Sequence, residues 1–152
     1  MTDQEFWNLI DIIDRDALDQ EDEDAAVEPL ILALTERTEA ELTAFEELLA
    51  QKLYALDGEI YARNAGVSGD SSDGFLYMRC YVVARGKEYY ESILQSPQKM
   101  PKSIEQWCEG LLYVHRQAWS ELTGKDESDW DFESGVSYET GSNIALWPGS
   151  SA

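Results

Sequence analysis

Between Thr38 and Ile60, apolar residues recur every three or four positions, and nothing else in the chain restricts the fold so tightly. Leu42, Phe45, Leu49, Leu53, Leu56 and Ile60 fall on one stripe of a helix. Thr38-Glu39-Ala40-Glu41 stands before it as a capping box: a hydroxyl and a carboxylate three residues apart can satisfy each other's orphan N–H groups. Such a stripe has to be buried against other elements, so a mainly helical body is expected.

The same start signal occurs twice more. Thr2-Asp3-Gln4-Glu5 opens a first helix carrying Phe6, Leu9, Ile10, Ile13 and Ala17, with Trp7 widening its face. Ser103-Ile104-Glu105-Gln106 opens a last helix carrying Trp107, Leu111, Val114, Ala118 and Leu122, with Gly124 as the residue that closes it. Pro29 suits the first turn of a short, fully apolar helix over residues 30–34. Another helix follows Gly74 with Phe75, Met78 and Val82 inward. Arg85-Gly86 marks a stop or a kink, and residues 87–95 read as one more helix closed by Ser96-Pro97. The acidic run 19–24 reads as an exposed loop or a frayed helix extension, and the Gly/Ser/Asp-rich stretch 64–74 as a loop.

The expected fold class is therefore mainly α: a single-domain bundle of about six helices over residues 1–125. An acidic, aromatic, irregular tail follows over residues 126–152. Through Trp130, Phe132, Tyr138 and Trp147 it either packs across the body or docks on something else; packing is the expectation, with a short strand or two.

Thirty-one acidic residues against eleven basic ones give a formal charge of −20. Phosphate backbones and anionic lipid surfaces repel such a surface, so no nucleic-acid and no membrane partner is expected. A basic protein partner is favoured electrostatically, although the same charge also serves solubility in a monomer. Residues 1–14 lack a basic region and carry Asp3, Glu5 and Asp11, unlike a signal peptide. Cys80 and Cys108 sit in apolar helical contexts, which suits reduced, packed thiols in the cytoplasm.

Ser71-Ser72-Asp73-Gly74-Phe75-Leu76-Tyr77-Met78-Arg79-Cys80-Tyr81-Val82-Val83-Ala84-Arg85-Gly86-Lys87-Glu88 resembles the core pattern of bacterial domain-of-unknown-function family 4240. Glu5-Phe6-Trp7, Leu9-Ile10, Ala44-Phe45, Leu112-Tyr113-Val114 and Leu122-Thr123-Gly124 extend the likeness over about residues 3 to 125. Ser72 stands where the family pattern has Asp, Met78 where it has Phe, and Tyr81 where it has Trp. The resemblance implies a mainly helical fold and no established activity.

Two sets of residues stand out as candidate sites. The first is Asp73, Tyr77, Arg79 and Arg85 within residues 71–86. A Ser/Asp/Gly segment entering a helix offers free N–H groups to an anion, and Lys87, Lys99 and Lys102 follow nearby. The favoured reading is that Ser72 or Asp73 is an ordinary N-cap, and a negatively charged cap would oppose an anion. Arg79 lies only about 60° from Val82 on a helical wheel, near the buried stripe. A buried Arg calls for a carboxylate, with Asp57 or Asp73 as candidates. The second set is Asp22, Glu23, Asp24, Trp130 and Trp147, acids and aromatics fit for an interface.

No catalytic residue, metal site or cofactor is assigned. With thirty-one acids, a carboxylate pair carries no specificity for glycoside chemistry, and run 19–24 lacks the ligand spacing of a calcium loop. Cys108 and His115 are seven apart, on one helix face but about 10 Å apart along it, which suits a packed thiol and a structural His. One His gives no zinc or triad set, and phosphate-binding Gly motifs are missing. The function expected is a non-enzymatic, acidic protein-binding module, immunity-protein-like, antitoxin-like or regulatory. The alternative is a small anionic-ligand or nucleotide site around residues 71–86, with catalysis left open.

Overall fold

The computed structural model describes residues 1–150, which form eight α-helices and no strand. They are α1 (Asp3–Ile10), α2 (Arg15–Asp19), α3 (Glu23–Leu34), α4 (Glu39–Ala55), α5 (Glu59–Arg63), α6 (Ser72–Ala84), α7 (Lys87–Gln95) and α8 (Val114–Thr123). Short 3₁₀ turns fill several of the connections and punctuate the tail. Residues 151 and 152 of the expected tail lie outside the described residues.

The Thr38 box forms in full: Glu41 N–H donates to Thr38 Oγ1 at 3.2 Å, and Thr38 N–H donates to Glu41 Oε1 at 3.3 Å. Leu42, Phe45, Leu49 and Leu53 are buried as expected, but α4 stops at Ala55. Ile60 belongs to α5 instead and is half exposed. The chain breaks at Asp57-Gly58, where Asp57 is fully buried.

Acidic caps redraw two more boundaries. α1 ends at Ile10 rather than running to Ala17, because the Asp14 carboxylate accepts from Asp16 N–H and Ala17 N–H and starts α2. The run 19–24 is no loose loop. Asp22 caps α3 through Ala25 N–H at 3.1 Å, and Glu23 and Asp24 occupy its first turn, where the helix dipole favours negative charge. Pro29 consequently sits inside α3, not at its start. It cannot donate to the carbonyl of Ala25, a residue exposed to water.

The segment 64–74 is more ordered than a loop. A 3₁₀ turn, Gly66–Asp70, packs on α5 so closely that a Cβ at Gly69 would lie 1.8 Å from the Ala62 carbonyl oxygen. Ser71, not Ser72 or Asp73, then caps α6 through Gly74 N–H at 3.1 Å. Phe75, Met78 and Val82 face inward as expected, but so does nearly every residue from Gly74 to Ala84. This makes α6 the helix around which the others pack.

The third capping box does not start a helix. Ser103 Oγ accepts from Glu105 N–H, and Gln106 Oε1 accepts from Lys102 and Ser103 N–H, closing a local turn. Cys108 N–H is then diverted to the Tyr77 carbonyl at 3.0 Å. Only after the 3₁₀ turn Glu109–Tyr113 does α8 begin. Gly124 closes it with φ 75°, a conformation that glycine adopts without penalty. Leu122, expected inside, is exposed. One apolar core runs from Phe6 and Ile10 through Leu30, Phe45, Phe75 and Val82 to Leu111 and Ala118. Among the described residues, no helix is long and apolar enough to cross a membrane.

Gly69→Ala has no room for its methyl group without displacing backbone. It is expected to cost about 3 kcal/mol in urea unfolding, while the fold survives in far-UV dichroism.

Candidate functional site

Arg79 is completely buried. Its Nη1 donates to the Leu53 carbonyl at 2.9 Å, and its Nη2 donates to the Tyr138 carbonyl and to Thr140 Oγ1, both at 3.0 Å. The guanidinium lies over Phe75, 4.8 Å from the ring centre. Among the described residues it forms no ion pair, and its Nε has no hydrogen-bond partner. The expected carboxylate partner is therefore replaced by neutral oxygens. Burial pulls the guanidinium below the usual arginine range, and the negative charge of Asp57 offsets part of that effect.

The reason lies at the end of α4. The last carbonyls of a helix lack an i+4 donor; here Leu53 O and Tyr54 O take tighter bonds from Leu56 and Asp57 N–H, and three of the carbonyls also accept from side chains. Tyr90 OH donates to Lys52 O at 2.8 Å, Arg79 to Leu53 O, and Asn143 Nδ2 to Tyr54 O at 2.9 Å. The negative end of the helix dipole also suits the Arg79 cation. Just beyond, the Asp57 carboxylate accepts from Gly141 N–H and Asn143 N–H, both at 2.9 Å, and from Trp147 Nε1 at 2.8 Å.

The tail is thus stitched to the body along its length. Thr140 OH donates to Ser72 O at 2.7 Å, and Gly135 N–H donates to Glu47 at 2.8 Å. Trp130 Nε1 donates to Glu46 Oε2 at 3.3 Å. From Asp131 to Thr140, exposed and half-buried residues alternate, as in extended chain, although no strand forms. Glu46 also meets His115 Nε2 at 3.0 Å, and both are buried. Cys108 and His115 do not share one helix, since Cys108 precedes the 3₁₀ turn that leads into α8.

The four residues singled out near α6 do not converge. Asp73 is exposed on the first turn. Tyr77 packs edge-on against Trp107 at 5.8 Å. Arg85 pairs with Asp19 at 2.7 Å and sits near Tyr81 and Tyr89. Six positions separate Arg85 from Arg79, about 240° around the helix, so the two point to different sides.

Asp22, Glu23 and Asp24 belong to a different feature, a groove between α3 and α8. Its first part, about 700 Å³, is lined by these three acids with Glu28, Glu109 and Tyr113. Through Glu28, Ile31 and Gln117 it continues into a second hollow of about 800 Å³ with Leu32, Glu121, Leu122 and Glu127. No Lys, Arg or His among the described residues lines either part. Leu32 is 59% and Leu122 44% exposed, large apolar side chains facing solvent inside a rim of carboxylates. Burial raises the Glu23 carboxyl above its ordinary 4.5, with the charges of Glu109 and Asp24 adding to the effect and hydrogen bonds from the Gly110 and Glu109 amides opposing it. Trp130 and Trp147 lie elsewhere, held by Glu46 and Asp57.

Both thiols are free and buried. Burial pushes Cys108 up to about 12 and Cys80 well above its ordinary range, so neither is a nucleophile at neutral pH. Among the described residues, no three His, Cys, Asp or Glu side chains converge as a metal would require.

The family model described as Protein of unknown function (DUF4240) matches residues 1–121. The chain belongs to this family. Its DUF4240 segment supplies Asp57 and Arg79 and ends inside α8, so the tail groups that close over both residues lie beyond the match. Both walls of the acidic groove fall largely within it. Comparison with curated proteins and with solved structures finds no match.

Two predictions follow from these contacts. Asp57→Asn turns an amide group toward N–H donors and is expected to cost about 3 kcal/mol. Amide exchange at Gly141 and Asn143 should accelerate before global unfolding, which hydrogen-exchange NMR reads directly. Neither native thiol should react with a disulfide reagent at pH 8, and both should titrate once the chain is unfolded in guanidinium.

Proposed function

We propose that this chain is a non-enzymatic protein-binding module that takes a basic, amphipathic helical segment of a partner protein into the groove between α3 and α8. The observation that carries this reading is the lining itself: carboxylates along both sides, exposed Leu32 and Leu122 within, and no Lys, Arg or His among the described residues that line it. A partner helix with an apolar stripe covers the leucines while its Lys and Arg side chains meet the rim. Such a role suits an immunity-protein-like, antitoxin-like or regulatory protein in a bacterial cytoplasm, and the free, buried thiols agree with a reducing compartment.

Catalysis has little support. The single His is tied to Glu46, and both thiols are inert. An anionic-ligand site around residues 71–86 has still less, because Arg79 is enclosed by the tail and Arg85 is paired with Asp19.

A synthetic Lys/Leu amphipathic helix provides the test. Its affinity should fall roughly tenfold between low and physiological salt, as screening removes the long-range attraction. Neutralising Glu23, Glu28 and Glu109 to Gln should weaken binding about tenfold. The equally charged change at exposed Glu88, Glu91 and Glu105 should weaken it less than twofold. Equal losses in the two variants would mean that net charge alone drives association. Because the peptide favours ionised Glu23, affinity should rise with pH as that carboxyl, raised above the usual carboxylate range by burial, loses its proton. Glu23→Gln should remove that part of the pH dependence.

A further inference from the structure

Where the tail leaves α8, a second cleft of about 550 Å³ opens against the start of α4. Three aromatic rings line it: Trp119 from α8, only 7% exposed, and the half-buried Trp130 and Phe132 from the tail. Trp119 and Trp130 meet at 77° with centroids 5.6 Å apart, and Trp130 and Phe132 at 66° and 6.4 Å. Two successive steep angles make the rings walls of a corner rather than a stack. Glu39, Asp129 and Asp131, all exposed, add carboxylates to a lining that also holds Ala40, Thr43 and Lys125.

The walls are held in place before any ligand arrives. Trp119 Nε1 donates to Glu39 Oε1 at 2.6 Å, and Trp130 Nε1 donates to Glu46 Oε2 while its ring packs edge-on against His115 at 5.2 Å. A cation of the chain already samples this environment. The Lys125 ammonium lies 5.7 Å from the Trp119 ring centre and makes no ion pair with a carboxylate among the described residues.

From this corner we infer a binding site for a quaternary trimethylammonium group. Aromatic faces attract a cation through their quadrupoles, and flanking carboxylates add to the field. A bare ammonium is strongly hydrated and loses that shell on entry. A trimethylammonium is weakly hydrated and presents methyl groups to three ring walls. Lys125 occupies the rim as a weak internal competitor. The site is separate from the α3–α8 groove: Trp119 is two residues, about 200°, from both Gln117 and Glu121 on α8.

The test uses the full-length, ¹⁵N-labelled chain and follows its five indole N–H signals by NMR. Tetramethylammonium should shift Trp119 and Trp130 while Trp7 and Trp107 stay still. The neutral isostere 3,3-dimethylbutanol should bind about tenfold more weakly than choline, the share due to charge. Lys125→Gln should tighten choline binding several-fold by removing the competitor, and Phe132→Ala should weaken it about fivefold. Unmoved Trp7 and Trp107 signals report that both variants remain folded. Choline and Nε-trimethyllysine are compared directly: tighter choline binding assigns a small-molecule ligand, and tighter trimethyllysine binding a protein side chain. Equal affinity for choline and its neutral isostere would overturn the inference. So would stationary Trp119 and Trp130 signals at about 100 mM tetramethylammonium in both the native chain and Lys125→Gln.

Discussion

Where α4 stops, the carbonyls of Lys52, Leu53 and Tyr54 turn toward protein rather than water, and each has a lone pair that a side-chain donor can take. Tyr90 from α7, Arg79 from α6 and Asn143 from the tail provide one apiece. Much of the remaining architecture follows. A fully buried Arg is tolerable because a helix end offers it oxygen and negative potential. Asp57, one turn further on, balances that charge without touching it and spends its own lone pairs on the tail. A cation and an anion are thus both enclosed, each satisfied mainly by neutral dipoles. Either one alone would leave an uncompensated charge in a medium of low polarity.

Local signals were legible in the sequence where the chain itself completes them. The Thr38 box, the limits of α7 and the Gly124 stop each depend on neighbours a few residues away. Other boundaries turned on which group captured a backbone N–H. Asp14 and Asp22 act as caps, and a run of acids around Asp22 reads as solvated charge until a helix is known to begin there. The Ser103 box misleads for the same reason. It reports that N–H groups are satisfied locally, not that the chain goes on to coil, and Cys108 N–H is drawn away to Tyr77.

Burial of Arg79 was readable from its angle to Val82, but its partners were not. Helix-end carbonyls carry no side-chain signature, so a carboxylate was the natural guess. Glu46 did carry a signal, since it lies four residues after Leu42 and three before Leu49, on the apolar stripe. An acid in that position asks for a buried partner, and His115 is it. Of the acidic groove, Asp22, Glu23 and Asp24 stand out in the chain, whereas Glu109, Glu121 and Leu122 join them only through the packing of α8 on α3. Trp130 and Trp147 look like exposed anchors in a sequence without long-range contacts, yet Glu46 and Asp57 hold both.

The tail's grip on Asp57 spans 84 positions from Gly141 and 86 from Asn143. Translation delivers those donors long after α4 and α6 have been made. Until then the emerging polypeptide holds a cation and an anion that its interior cannot yet accommodate, so consolidation around them waits for residues 138–143 to emerge. A chain cut shortly before residue 138 would keep the eight helices but leave both charges stranded, the kind of unfinished species that cellular proteases remove.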